Sequence, residues 1–84
     1  MYIVVGSATT AERLKRRLEK VSGYPALVVR TPAPIRTGGC SYSVRIDDRT
    51  LDLAKQVLST SGLSYKKIYR VMNRNGERVY NAVP

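Results

Sequence analysis

Two stretches with helical spacing, each closed by a glycine, lie between runs of β-branched and aromatic residues. That alternation restricts the chain to a mixed α and β architecture. "MYIVVGS" reads as a first strand ending in Gly6-Ser7. Behind it Ala11, Leu14, Leu18 and Val21 recur on one helical face, with Thr9 or Thr10 as N-cap and Gly23 as the stop. "YPALVVRTP" is a second strand limited by Pro25 and Pro32, and "APIRTGG" is the connection that follows it. "CSYSVRI" alternates, with Cys40, Tyr42, Val44 and Ile46 on the core side and Ser41, Ser43 and Arg45 on the other.

A second helix spans "DDRTLDLAKQVLSTSG", capped by Asp47 or Asp48, turning Leu51, Ala54, Val57 and Leu58 inward and stopping at Gly62. "YKKIYRVM" is a fourth strand. Asn75-Gly76 suits a type I′ turn that folds a last strand back along it. The expected fold is therefore α+β: a ferredoxin-like βαββαβ sandwich with an additional short C-terminal strand.

The 84 residues are expected to form one domain over 1–84, with 74–84 as the hairpin strand or tail. A chain of this size buries only about 60–65% of its unfolded surface, so its core is modest. With 43% hydrophobic and 25% charged residues, the composition is that of a folded soluble protein and not of a disordered one. The apolar run at the start is too short to span a membrane and lacks a basic leader, which points to the cytoplasm. The net charge of +9 predicts attraction to anionic partners, and its densest group, "ERLKRRLEK", reads first as the solvated face of the first helix.

Chemistry narrows to one atom. The chain has no histidine, so Cys-His and Ser-His-Asp arrangements and histidine metal sites are excluded. A single cysteine forms neither an internal disulfide, a zinc cluster nor a CxxC pair. "GSATT" lacks the length and the lysine of a phosphate loop, and the Asp47-Asp48 pair reads as a helix cap. No cofactor or metal is expected.

Cys40 stands directly behind Gly38 and Gly39, four positions after Arg36. Glycines free to adopt positive φ can turn successive N–H groups toward an anion, and Arg36 can place a cation beside the sulfur. Both favour the thiolate, of which an unperturbed cysteine has only about a few per cent at neutral pH. Strand parity alone favours the competing reading, a buried structural cysteine. Cys40 shares the parity of Tyr42, Val44 and Ile46, and a free cysteine often packs as a small hydrophobe.

The frame Thr31, Pro32, Ile35, Gly39 and Cys40, behind a "YIVV" strand and ahead of "YKKIYRV", resembles the Se/S carrier protein-like family from Tyr2 to Met72. Ser41 replaces a commoner glycine, and Ala33-Pro34 replaces an arginine-bearing step whose charge Arg36 or Arg30 can supply. The resemblance implies a carrier rather than an enzyme, holding sulfur or selenium as a persulfide or perselenide on Cys40, supported by Arg36, Gly38, Gly39 and Ser41. It also implies a donor of the cysteine desulfurase kind and an acceptor protein.

Two other classes stand beside this one. A basic ferredoxin-like sheet could bind nucleic acid through Tyr42 and Tyr69, although the absence of Phe and Trp and of an RNP1 pattern in "CSYSVRI" disfavours it. The alternative is a small interaction protein with an inert cysteine, and a homodimer through a sheet edge is left open.

Overall fold

β1 (Tyr2–Val5) is buried along its whole length, and the sheet assembles around it. The computed structural model describes residues 1–36 and 41–84. Within them β1 is followed by α1 (Ala8–Ser22), β2 (Leu27–Arg30), β3 (Tyr42–Arg45), α2 (Leu51–Ser61), β4 (Lys67–Arg74) and β5 (Glu77–Val83). Short 3-10 turns at Ala33–Ile35 and Asp48–Thr50 precede β3 and α2. The five strands form one sheet of order β2-β3-β1-β4-β5, and every neighbouring pair is antiparallel. The molecule is thus a mixed α+β fold with two helices and a five-stranded antiparallel sheet.

Register explains why β1 is buried on both sides. Ile3 faces Val44 and Ile68 across the sheet, on the side where Ala11, Leu14 and Leu18 of α1 and Ala54, Val57 and Leu58 of α2 pack. Because strand side chains alternate, Tyr2 and Val4 point to the opposite face, where a second cluster forms with Ile35. Each fully buried Leu or Val of the first cluster contributes about 1.5–3 kcal/mol.

Several expectations shift by a residue or a face. The N-cap of α1 is Ser7, not Thr9 or Thr10. Its Oγ accepts from the Thr10 N–H at 3.1 Å, so the helix begins earlier than the threonines suggest. Gly23 and Gly62 close the two helices in the left-handed conformation, as expected. Val21 was expected to face inward but is 52% exposed, because it lies in the last turn, beyond the reach of the sheet.

Asp47 caps the 3-10 turn that leads into α2, accepting from the Arg49 N–H at 2.8 Å. The last strand is not a short appendage. β5 pairs with β4 from Arg74↔Glu77 to Ile68↔Val83 around Asn75 (φ 53°) and Gly76 (φ 79°), the two positive-φ residues of the predicted I′ turn. β3 is half-buried only in part: Ser43 is buried like Val44, since the β2–β3 connection crosses back over that face.

Candidate functional site

The connection between β2 and β3 begins with a polar clasp. The Thr31 N–H donates to the Ser41 carbonyl at 3.1 Å, and Thr31 Oγ1 lies 2.7 Å from Ser41 Oγ and 2.8 Å from Ser43 Oγ. All three side chains are buried, and each hydroxyl finds its partner within the group. Pro32 opens the 3-10 turn, whose Ile35 drops into the cluster of Tyr2 and Val4 on the open face. Arg36 ends the turn, donating its N–H to the Ala33 carbonyl at 3.3 Å, with its side chain exposed. Gly38, Gly39 and Cys40 lie outside the described residues, so the expected glycine bend and the exposure of the thiol are not described. Of the proposed supporting side chains, Arg36 is exposed, whereas the Ser41 hydroxyl is buried and engaged by Thr31.

Register locates this connection at one end of the sheet. Tyr42, next after Ser41, pairs with Val5 and Arg30. Gly6, Ser7 and the start of α1 leave β1 at the same end, and the Lys66 N–H donates to the Val4 carbonyl there at 2.7 Å. Lys67 pairs with Val4. Arg30, Arg36, Lys66 and Lys67 thus supply exposed cations near the ends of the connection.

A second cluster occupies the sheet face opposite the helices. Tyr2 pairs with Tyr69 and Arg45, and its ring centroid lies 5.9 Å from that of Tyr80 at a tilt of 56°. Beside them Arg45, Asn73 and Arg78 join Tyr2 and Val71 around a recess of about 180 Å³. The Tyr80 hydroxyl next to Arg78 pushes the pKa of the guanidinium up. At the other end Val4, Ile35, Lys66, Lys67 and Tyr69 line a recess of about 280 Å³. Of the two tyrosines considered for this face, Tyr69 lies on it, whereas Tyr42 packs against the helix-side core. Sequence reasoning missed Tyr2 and Tyr80. The signal was available in their parity: once Tyr2 is paired with Tyr69, the hairpin register sets Tyr80 on the same side.

The carboxylates are elsewhere. Glu19 accepts from Lys15 Nζ and the Ala26 N–H, each at 3.1 Å, tying the end of α1 to the approach to β2. Those bonds, the Ala26 N–H first, lower its pKa. Asp47 accepts from Arg49 Nε and Nη2 at 3.1 Å, and these bonds with the Arg49 N–H pull its pKa to about 2. Among the described residues no group of three or more Cys, Asp or Glu is arranged to hold a metal ion. No helix among them is long and apolar enough to cross a membrane.

A family model described as "Putative Se/S carrier protein-like" matches residues 1–70. No curated protein and no solved structure matches the chain.

Proposed function

We propose a carrier function for this chain, which belongs to the Se/S carrier protein-like family: it carries sulfur or selenium on Cys40 and hands it to an acceptor thiol. The observation that carries the reading is that the family match, residues 1–70, includes the chain's one cysteine. The strand neighbours β2-β3-β1-β4, with both helices packed on one face, support a ferredoxin-like plan as the scaffold.

The chemistry is a displacement at sulfur with no net oxidation or reduction. The Cys40 thiolate attacks the terminal sulfur of a persulfide on a donor of the cysteine desulfurase kind. The new bond joins that sulfur to Cys40 Sγ, the donor's S–S bond breaks, and the donor leaves as a thiolate. The resulting persulfide on Cys40 is then attacked at its terminal sulfur by an acceptor thiolate, which restores the Cys40 thiolate. Selenium follows the same path as a perselenide.

In this scheme Gly38 and Gly39 offer backbone N–H groups to the anion, and Arg36 supplies a positive charge. The Ser41 hydroxyl, held by Thr31, anchors the residue next to the cysteine. A lone cysteine suits the task, since a second thiol nearby would expel the cargo and close a disulfide. A free thiol of this kind works in a reducing compartment, which fits the cytoplasm. The basic surface steers acidic partner proteins, an effect that fades with salt.

The test is intact mass after incubation with a cysteine desulfurase and cysteine. One added sulfur is expected on the unmodified protein and none on Cys40→Ser. Equal gain by both proteins, or gain by neither, overturns the proposal.

A further inference from the structure

The sheet face opposite the helices combines cations and rings in a way that the thiol chemistry does not use. By register it carries Lys67 and Tyr69 of β4, Arg78 and Tyr80 of β5, Arg45 of β3 and Tyr2 of β1. Among the described residues no strand places a side-chain carboxylate on it, and Asp47 and Asp48 reach only its edge, where they share a recess with Arg45. Glu12, Glu19 and Asp52 lie on the helices, Asp47 and Asp48 lie at the turn into α2, and Glu77 alternates with Arg78 to the other side. Among the described residues the ion pairs to side-chain carboxylates are those of Lys15, Arg49 and the Met1 ammonium, and Arg45, Lys67 and Arg78 take part in none of them.

The arrangement has an order along the strands. Arg45 and Arg78 flank one recess and Lys66 and Lys67 the other, with the tyrosines between. From Lys67 to Asn73 the strand rise gives a track of about 20 Å. That is room for the two or three bases that an open four-stranded sheet accommodates on its aromatic residues.

We infer that this open face binds single-stranded nucleic acid, with the phosphates drawn to Arg45, Arg78 and Lys67 and the bases stacked against Tyr69 and Tyr80. Charge complementarity explains the cations, and the rings between them favour bases over an acidic peptide, which offers carboxylates but no aromatic planes. The exposed cations of α1, among them Arg13, Arg16, Arg17 and Lys20, are as dense but have no ring interleaved with them. They supply only a diffuse field. The inference names none of the residues on which the carrier reading relies, and its test reads RNA binding rather than added sulfur, so the two stand or fall separately.

The experiment is fluorescence anisotropy of a labelled, mixed-sequence RNA of about 12 nucleotides, titrated from low salt upward. The variants are Arg45→Ala/Arg78→Ala, Tyr69→Leu and Arg16→Ala/Arg17→Ala, each checked for folding by circular dichroism. The two double variants lose equal charge, so only position differs between them. The open-face double variant is expected to weaken binding about tenfold or more and to flatten the log–log salt slope by roughly 1.4. Tyr69→Leu is expected to weaken binding about fivefold or more without moving that slope. The α1 variant is expected to lose less than about threefold. Absence of binding at low salt overturns the inference, as does equal loss in the two double variants. Competition by a glutamate-rich peptide as effective as that by unlabelled RNA overturns it as well.

Discussion

Thr31 and Ser43 hold each other by hydroxyls 2.8 Å apart, in a place from which neither reaches solvent. Thr31 shares the same oxygen with Ser41 at 2.7 Å, so one hydroxyl serves two partners. Thr31→Val removes that oxygen and strands both serines. It is expected to cost about 1–3 kcal/mol in urea denaturation. Ser43→Ala leaves Thr31 paired with Ser41 and should cost about 1 kcal/mol or less. The double variant should be less destabilised than the sum of the singles, because the groups act as one network. Additive costs would show that the bonds are independent.

Acid should unfold the protein through its carboxylate clasps. Hydrogen bonds from the Arg49 side chain and then its N–H pull Asp47 from 3.8 to about 2, and Glu19 is lowered in the same direction, chiefly by the Ala26 N–H. A pKa lower in the folded state means that the stabilisation is complete above the unfolded pKa and disappears as pH falls through the folded one. The urea midpoint should therefore decline between about pH 4 and about pH 2. Asp47→Asn should flatten that decline, and salt should shrink the difference, since Arg49 is exposed.

The β4–β5 turn depends on its backbone alone. At Gly76, φ is 79° and an added Cβ would meet nothing within 4 Å, so Gly76→Ala brings no clash. The left-handed conformation itself should cost about 1–2 kcal/mol in chemical denaturation. A neutral substitution would mean that the hairpin contributes nothing to the cooperative unit.

Leu14 is fully buried between the sheet and α2. Leu14→Ala should cost about 2–5 kcal/mol in thermal or urea unfolding. A domain of this length has only about 4–12 kcal/mol to lose, so the variant should be marginal at body temperature.

The strand and helix order was legible because each element carried its own period and its own stop, such as Gly23, Gly62 and Asn75-Gly76. What escaped was the partial cover over one end of the second face. Ser41 and Ser43 look like solvent-facing residues from alternation, and only the return of the connection, with Ile35 seated on Val4, buries them. Periodicity registers neighbours on the same element, and a loop folding over a sheet is a long-range event that leaves no period. The tyrosine group escaped for a related reason, since Tyr2, Tyr69 and Tyr80 meet through strand pairing across most of the chain. The site around Cys40 was legible in residue type alone, because Gly38, Gly39 and Cys40 lie outside the described residues.

β4 has eight residues and β1 four, so beyond Tyr69 the final hairpin continues as a ribbon with no third strand beside it. Two-stranded ribbons twist more than the sheets they leave. Arg78 rides on that overhang while Arg45 sits in the body of the sheet. The gap between the two guanidinium groups is therefore set by how the ribbon bends, and a guest drawn between them would act as a strut that straightens it.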